Sequence, residues 1–310
     1  MKIIFFGSDD FANEHLKKLL GGGEEVVACV APPDKAKGRG MKLLSSPVKE
    51  TASKHKIPVL QPEKIGETGF MKQLKDLNPD LFIVIAYGKI LPQKILDIPH
   101  RGAFNVHASL LPSYRGAAPI NWAMIRGETV TGITVIKMSA RLDAGDILLQ
   151  EKIPIHPEDH AVTLRQRMMT FGPDVLLKSL KLLKEGKHKL TRQNEDKVTY
   201  APKLEKGMGR INWEDAAEHI HNLVRGLKPW PSAYSFYQGK QLKILETAVV
   251  NLTSSTYNSG YILEIDKKGF VVAAGENALL VKRVHFESAK PMEAYAFVIG
   301  HRVEKGQRLG

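Results

Sequence analysis

The sequence predicts an α/β protein: a mostly parallel sheet with helices on both faces, followed by a small β-barrel. Three observations carry this expectation. Short apolar runs alternate with amphipathic stretches from Met1 to about Leu190, the pattern of strands joined by crossover helices. Beyond residue 207 that alternation gives way to short strands separated by tight turns. A chain of 310 residues also has room for two cores of ordinary size.

The run Lys2–Phe6, ending at Gly7, reads as a buried first strand. Phe11, Ala12, Leu16, Leu19 and Leu20 then recur at the spacing of one apolar helix face. Val26–Ala31, Pro58–Leu60, Leu81–Ala86, Gly102–Val106 and Ile133–Met138 read as further strands, and Leu164 to Leu183 as a long amphipathic helix. Sheets of this kind bind ligands at the carboxyl ends of their strands. Between Thr191 and Met208 the periodicity fades and Lys197, Pro202, Lys203, Lys206 and Gly207 mark a connecting segment. The expected division is therefore a sheet domain at 1–190, a basic linker at 191–206 and a C-terminal β-barrel at 207–310. In the last part, Trp213 to Leu227 reads as a helix stopped by Pro229 and Pro231. Strand patterns follow at Ala233–Tyr237, Leu242–Val250, Gly260–Ile265, Phe270–Ala274 and Ala278–Phe286. Gln238-Gly239, Lys267-Lys268-Gly269 and Gly275-Glu276-Asn277 supply the turns. An OB-like barrel is one architecture that fits.

Composition excludes several classes. With 43% hydrophobic and 25% charged residues the chain is neither disordered nor fibrous. The longest apolar run, near Leu81 to Ala86, is far short of the roughly 20 residues that cross a bilayer. No secretory leader is visible, so a soluble, cytoplasmic protein is expected, and with no uncovered apolar face recognisable in the sequence a monomer is the default expectation. Cys29, the single cysteine, lies in a valine-rich strand, which excludes an internal disulfide and suits a buried thiol. The net charge is +12, and it is not evenly spread: residues 34–56 carry +5, 178–206 carry +5 and 207–310 carry +3. Such concentration points to a polyanionic partner.

The turn Gly7-Ser8-Asp9-Asp10-Phe11 lacks the further glycines of a dinucleotide fingerprint, which disfavours NAD and FAD, and no Walker-type loop exists. No cluster has metal-ligand spacing, and no Gly-x-Ser-x-Gly elbow or reactive cysteine supports covalent catalysis. The densest polar stretch runs from Phe104 to Pro119. Asn105 and His107 are two apart, so on an extended segment their side chains share one side. An amide donor beside an imidazole suits acyl transfer, where an attacking amine creates an oxyanion and must lose a proton. Taken alone, each reads more readily as a surface or strand-end polar group. Leu142-Asp143-Ala144-Gly145-Asp146 offers a carboxylate in a loop that could reach the same edge, although Asp143 or Asp146 also suits an Asx turn. Trp213, Trp230 and Tyr234 read as core anchors more readily than as a base-stacking platform. His55, His156, His160, His219 and His221 read as surface residues.

Asn105-x-His107, Ser109-Leu110-Leu111-Pro112, Arg115-Gly116-Ala117-Ala118-Pro119 and Leu142-Asp143-x-Gly145-Asp146 together resemble the signature of the formyltetrahydrofolate-dependent formyltransferases. Pro33-Asp34-Lys35-Ala36-Lys37-Gly38-Arg39-Gly40-Met41-Lys42, with Ser46-Pro47-Val48-Lys49, is similar to a loop of the branch that acts on charged initiator tRNA. Ala86-Tyr87-Gly88-x-Ile90-Leu91-Pro92, Ile211-x-Trp213 and Pro229-Trp230-Pro231 extend the likeness over the whole chain. The resemblance implies a Rossmann-like formyltransferase fold, with Asn105, His107 and Asp143 as the catalytic trio. It also implies a folate pocket lined by Ser109, Leu110, Leu111, Pro112, Ala86, Tyr87 and Gly88. Contacts to tRNA would come from Lys35, Lys37, Arg39 and Lys42. The implied co-substrate is 10-formyltetrahydrofolate, leaving as tetrahydrofolate, and the implied acceptor is initiator Met-tRNA; no metal is implied. The sequence departs from the family pattern at Ser8-Asp9 for Thr-Pro, Pro32 for Gln, and Lys35-Ala36 for Arg-Pro. The nearest rival is formylation of a small phosphorylated amine or amino-sugar nucleotide. It would use the same trio but would not require the basic loop and barrel.

Overall fold

The computed structural model describes residues 1–37, 42–252 and 257–310, with the backbone alone at 35–37 and 42–44. The chain forms two compact units: Met1–Gly116 with Thr131–Ile153 and Gln166–Tyr200, and Ala117–Val130 with Pro154–Arg165 and Ala201–Gly310. Much of the segment expected to link them, Thr191 to Tyr200, is thus built into the first unit.

In chain order the elements are β1 (Ile3–Gly7), α1 (Asp10–Gly21), β2 (Val26–Val30), β3 (Lys35–Lys37), β4 (Lys42–Leu44), α2 (Pro47–Lys54), β5 (Val59–Leu60), α3 (Thr68–Asp76), β6 (Leu81–Ile85), α4 (Gln93–Leu96), β7 (Ala103–His107) and β8 (Arg115–Gly116). Then come α5 (Pro119–Ile125), β9 (Val130–Lys137), β10 (Ile147–Pro154), α6 (Ala161–Lys184) and β11 (Tyr200–Ala201). The sheet of the first unit has the order β10-β9-β7-β6-β1-β2-β5. Strands β5, β2, β1, β6 and β7 are parallel, and β9 runs antiparallel to β7, which is the mostly parallel sheet expected. All of β1 and β6 is buried, as central strands covered on both faces must be. Cys29 is fully buried on β2, and burial pushes its thiol up to about 12.

Helix α1 starts where Asp9 accepts a hydrogen bond from Ala12 N at 2.9 Å. It buries Phe11, Ala12, His15, Leu16 and Leu19 on one face. The chain reverses direction across the sheet beside β1, whose neighbours β2 and β6 lie on opposite sides. The loops leaving β1 and β6 therefore meet at the carboxyl edge, where Ser8 Oγ donates to Ala86 O at 2.7 Å.

The second unit continues with α7 (Ala217–Gly226), β12 (Ala233–Tyr237), β13 (Lys240–Val250), β14 (Ile262–Asp266), β15 (Gly269–Ala273), β16 (Ala278–Phe286), β17 (Met292–Glu293) and α8 (Ala294–His301). The sheet order is β12-β13-β16-β15-β14, with β17 beside β16. Gln238 and Gly239 both take positive φ, which makes the tight β12–β13 turn. Residues 306–310 bridge the two free edges. Gly310 N donates to Phe236 O on β12, while Ile262 N donates to Gln307 O and Leu309 N to Gly260 O beside β14. The sheet thereby closes into the expected barrel. Its core holds Trp213, Phe270, Phe286 and Phe297. The helix expected from Trp213 begins only at Ala217, because Asn212 Oδ1 accepts from Glu214 N in an Asx turn. Trp213 is buried, with its indole N–H on Ser235 Oγ at 3.0 Å. Trp230, expected as a core anchor, is instead 49% exposed. Its flanking prolines hold it in the short segment between α7 and β12.

His221 also differs from its expected surface role. On α7 it is half-buried against Thr247 Oγ1 at 2.8 Å, and burial, with Arg225 and Lys282 nearby, pushes it down to about 4. A histidine kept neutral in the fold contributes full stability above pH 6.5. It loses that contribution as pH falls toward about 4, because the unfolded chain takes up the proton first. The unfolding free energy from denaturant melts should fall as pH is lowered across this range in the wild type, and fall less in His221→Gln.

Candidate active site

Strand β7 sets the site. Phe104 and Val106 are buried, while Asn105 and His107 point together from the opposite side at the carboxyl end of the strand. The loop 138–146 brings Asp143 over them. Asn105 Nδ2 donates to Asp143 Oδ1 at 3.4 Å, and His107 Nδ1 stands 3.7 Å from Asp143 Oδ2. The three side chains are therefore brought together, with His107 only 6% and Asp143 11% exposed.

The carboxylate does not hold the imidazole by a direct hydrogen bond, since 3.7 Å is too long for one. The ring is held instead by the Tyr114 carbonyl, 2.9 Å from Nε2. A carbonyl only accepts, so Nε2 carries its proton and Nδ1 is the nitrogen left for chemistry. Asp143 is likewise held by backbone: Gly116 N donates to Oδ2 at 2.9 Å. Asn105 spends one amide hydrogen on Asp143 and keeps its second. Residues 114–116 thus hold both the His107 imidazole and the Asp143 carboxylate, a role their sequence does not announce. The signals available were the dense polar stretch Phe104 to Pro119 and the Arg115-Gly116 start of the family-like run.

Asp143 itself sits at φ +48, a left-handed conformation that costs a non-glycine residue about 1–2 kcal/mol. Two residues on, the loop passes so close to β9 that a Cβ at Gly145 would lie 1.7 Å from Lys137 O. Only glycine fits there.

The segment 109–112 consumes its own polar groups. Ser109 Oγ donates to Ser113 O, Thr134 Oγ1 donates to Ser109 O, and Gln150 Nε2 donates to Leu111 O. What it offers a ligand is apolar surface and shape, chiefly from the half-buried Leu110 and Pro112. At the end of β6, Ala86 is exposed at φ +46 and Gly88 at φ +78, so this edge is a strained, open backbone turn. Tyr87 turns its ring inward instead, edge-on to Phe6 at 5.5 Å. Its buried hydroxyl has no partner among the described residues, and burial pushes it up to about 12.

Of the expected tRNA contacts, Lys35, Lys37 and Lys42 lie on the β3–β4 hairpin, where Lys37 pairs with Lys42. Arg39 lies outside the described residues. Lys49 is committed elsewhere: it binds both Asp34 and Gln61 Oε1, and it draws the Asp34 carboxyl below its ordinary range. It anchors the base of the loop. Among the described residues no group of three His, Cys, Asp or Glu side chains could hold a metal, and no helix is long and apolar enough to cross a membrane.

Comparison with known proteins sets this arrangement in a class. The formyl transferase domain matches residues 1–180, and the formyl transferase C-terminal domain matches residues 203–302. A sugar 3N-formyl transferase, WlaRD, solved in the presence of dTDP and 5-N-formyl-THF, has the same fold. Its TM-score is 0.69 at 18% identity, over 94% of this chain and 99% of that one. Aquifex aeolicus HypX in complex with tetrahydrofolic acid gives a TM-score of 0.64 at 18% identity, over all of this chain and 50% of HypX. The methionyl-tRNA formyltransferase of Acetivibrio thermocellus is 44% identical, and that of Caldanaerobacter subterraneus subsp. tengcongensis 47% identical, each over 310 residues and the full length of both chains. The chain belongs to the methionyl-tRNA formyltransferase family.

The close approach at residue 145 makes a direct test of the loop. Gly145→Ala should lower unfolding stability by about 1–3 kcal/mol, as overpacking against fixed backbone does. It should also depress turnover, because the loop carrying Asp143 has to move; denaturant melts and initial rates check both.

Proposed function

We propose that the chain transfers the formyl group of 10-formyltetrahydrofolate to the α-amino group of methionine esterified to initiator tRNA. The observation that carries the reaction type is the second amide hydrogen of Asn105, left over beside Asp143 and His107 at the carboxyl edge of the sheet. The choice of acceptor is supported by relatives that match over the full length and are named methionyl-tRNA formyltransferase. Sugar formyltransferases share the fold at 18% identity, and that likeness extends to the fold alone.

In this reading the folate lies along the apolar 109–112 segment and the open turn at Ala86 and Gly88, with its formyl carbon toward Asn105. The amine nitrogen attacks that carbon and the carbonyl electrons move onto oxygen. The free Asn105 N–H donates to the resulting oxyanion, while the imidazole of His107 lies alongside. The attacking nitrogen must shed a proton, and N10 of the folate must gain one to leave. His107 Nδ1 is the group placed to relay it, since Nε2 is fixed on Tyr114 O. Asp143 faces Nδ1 and stabilises the imidazolium formed in passing. Collapse of the tetrahedral intermediate breaks the bond to N10, releasing formyl-methionyl-tRNA and tetrahydrofolate.

The basic segment 34–49, with Arg39 as the principal contact, binds the acceptor end of the tRNA, and the Lys-rich linker and basic C-terminal barrel bind its body by charge.

The deciding assay offers 10-formyltetrahydrofolate together with charged initiator Met-tRNA, uncharged tRNA, free methionine, glycinamide ribonucleotide and water. Formyl should pass to Met-tRNA alone; transfer to a small amine would assign the rival substrate class. Asn105→Ala and Asp143→Ala should each lose about a hundredfold in single-turnover rate while still binding tRNA, as loss of one oxyanion-site donor or its anchor does. Arg39→Ala should raise KM for Met-tRNA and flatten the fall of affinity with salt, measured by titration at several ionic strengths.

A further inference from the structure

The connecting segment 191–195 is stitched to the loop that carries Asp143. Thr191 and Ile147 exchange two backbone hydrogen bonds of 2.8 Å. Two residues further, the buried Gln193 donates from Nε2 to two carbonyls of the loop, Asp143 O at 2.8 Å and Gly145 O at 2.7 Å. Its Oε1 accepts from Arg115 Nε at 3.1 Å and Nη2 at 2.8 Å. Every hydrogen-bonding direction of the amide that these partners can use is filled, so neither flip nor rotation of Gln193 is free.

Arg115 is 2% exposed, and its guanidinium is completed by Glu195, which also accepts from Arg141 at 3.0 Å. Those two cations hold the Glu195 carboxyl below its ordinary range. The backbone on either side of Arg115 is the same backbone that holds the trio: Tyr114 O accepts from His107, and Gly116 N donates to Asp143. A closed circuit results, from the Asp143 carboxylate through Gly116, the Arg115 side chain and the Gln193 amide to the Asp143 carbonyl.

We infer that Gln193, oriented by Arg115, is a positioning residue that sets the place of the Asp143 carboxylate for formyl transfer. The inference rests on the reaction proposed above. Gln193 touches neither substrate nor reacting atom. It acts by holding Asp143 in its left-handed backbone conformation, through bonds to the carbonyls of residues 143 and 145. A displacement of about 1 Å at such a site costs on the order of a hundredfold in rate.

The test uses Gln193→Glu, which keeps the shape and the acceptor toward Arg115 but replaces the two donated bonds with a carboxylate oxygen facing two carbonyls. Gln193→Met serves as a second variant that removes the polar groups without adding charge. Both are compared with wild type, Asp143→Ala and the two double variants. Formyl transfer to Met-tRNA gives kcat and KM for each substrate, and thermal melting gives the folded fraction. The expected result is a loss of about a hundredfold in kcat, with both KM values near wild type and the folded state retained. In the Asp143→Ala background the same substitutions should change kcat by no more than about twofold, because residues that act through one another are not additive.

Retention of wild-type kcat by either folded variant would overturn the inference. So would a rise in KM at unchanged kcat, or losses that multiply with that of Asp143→Ala. If one variant fails to fold, the other decides by the same criteria. Absence of formyl transfer by the wild type would count against the proposed reaction instead, so the two failures are distinguishable.

Discussion

The site depends on backbone groups that satisfy its polar side chains. The Gly116 N–H on the Asp143 carboxylate and the Tyr114 carbonyl on the His107 ring come from adjacent stretches of one short segment. Both partners are poorly exposed, so each would be costly to leave unsatisfied. Meeting those two demands fixes where the loop 138–146 must pass. That path brings Gly145 against β9 and forces Asp143 into a left-handed conformation. The strain is sustained by the surrounding bonds, the two donated by Gln193 among them.

The same economy governs the wall beside it. Residues 109–112 meet their polar requirements internally through Ser113, Thr134 and Gln150, which leaves a stiff apolar edge. Rigid, self-satisfied walls around a few free donors are what acyl transfer needs, since a donor already in place pays no reorganisation as charge develops. The barrel meets a different requirement. Its two edges would otherwise present unpaired backbone, and residues 306–310 cover both.

Several features were legible before the structure. The period-two placement of Asn105 and His107 put them on one side of a strand end, and alternating runs announced a mostly parallel sheet. Other residues misled for identifiable reasons. Segment 191–200 lacks apolar periodicity because its anchoring is polar, through Thr191, Gln193 and Glu195, and polar anchoring leaves no repeating pattern. His221 has no sequence neighbour that marks it as buried; Thr247, 26 positions away, encloses it. Lys49 looked like one more cation in a basic loop, yet Asp34 and Gln61 take up its charge. Trp230 was read as an anchor, yet its side chain is half in solvent.

Element type, turn positions and the face on which each candidate catalytic residue lies follow from short-range rules of period, capping and turn chemistry, which operate within a few residues. The partner that satisfies each buried polar group does not. Asp143 meets Gly116 across 27 positions and Gln193 across 50, and Arg115 meets Gln193 across 78. Those pairings depend on how the strands are ordered in the sheet, because hydrogen bonds require atoms within about 3 Å in space, whatever their separation along the chain.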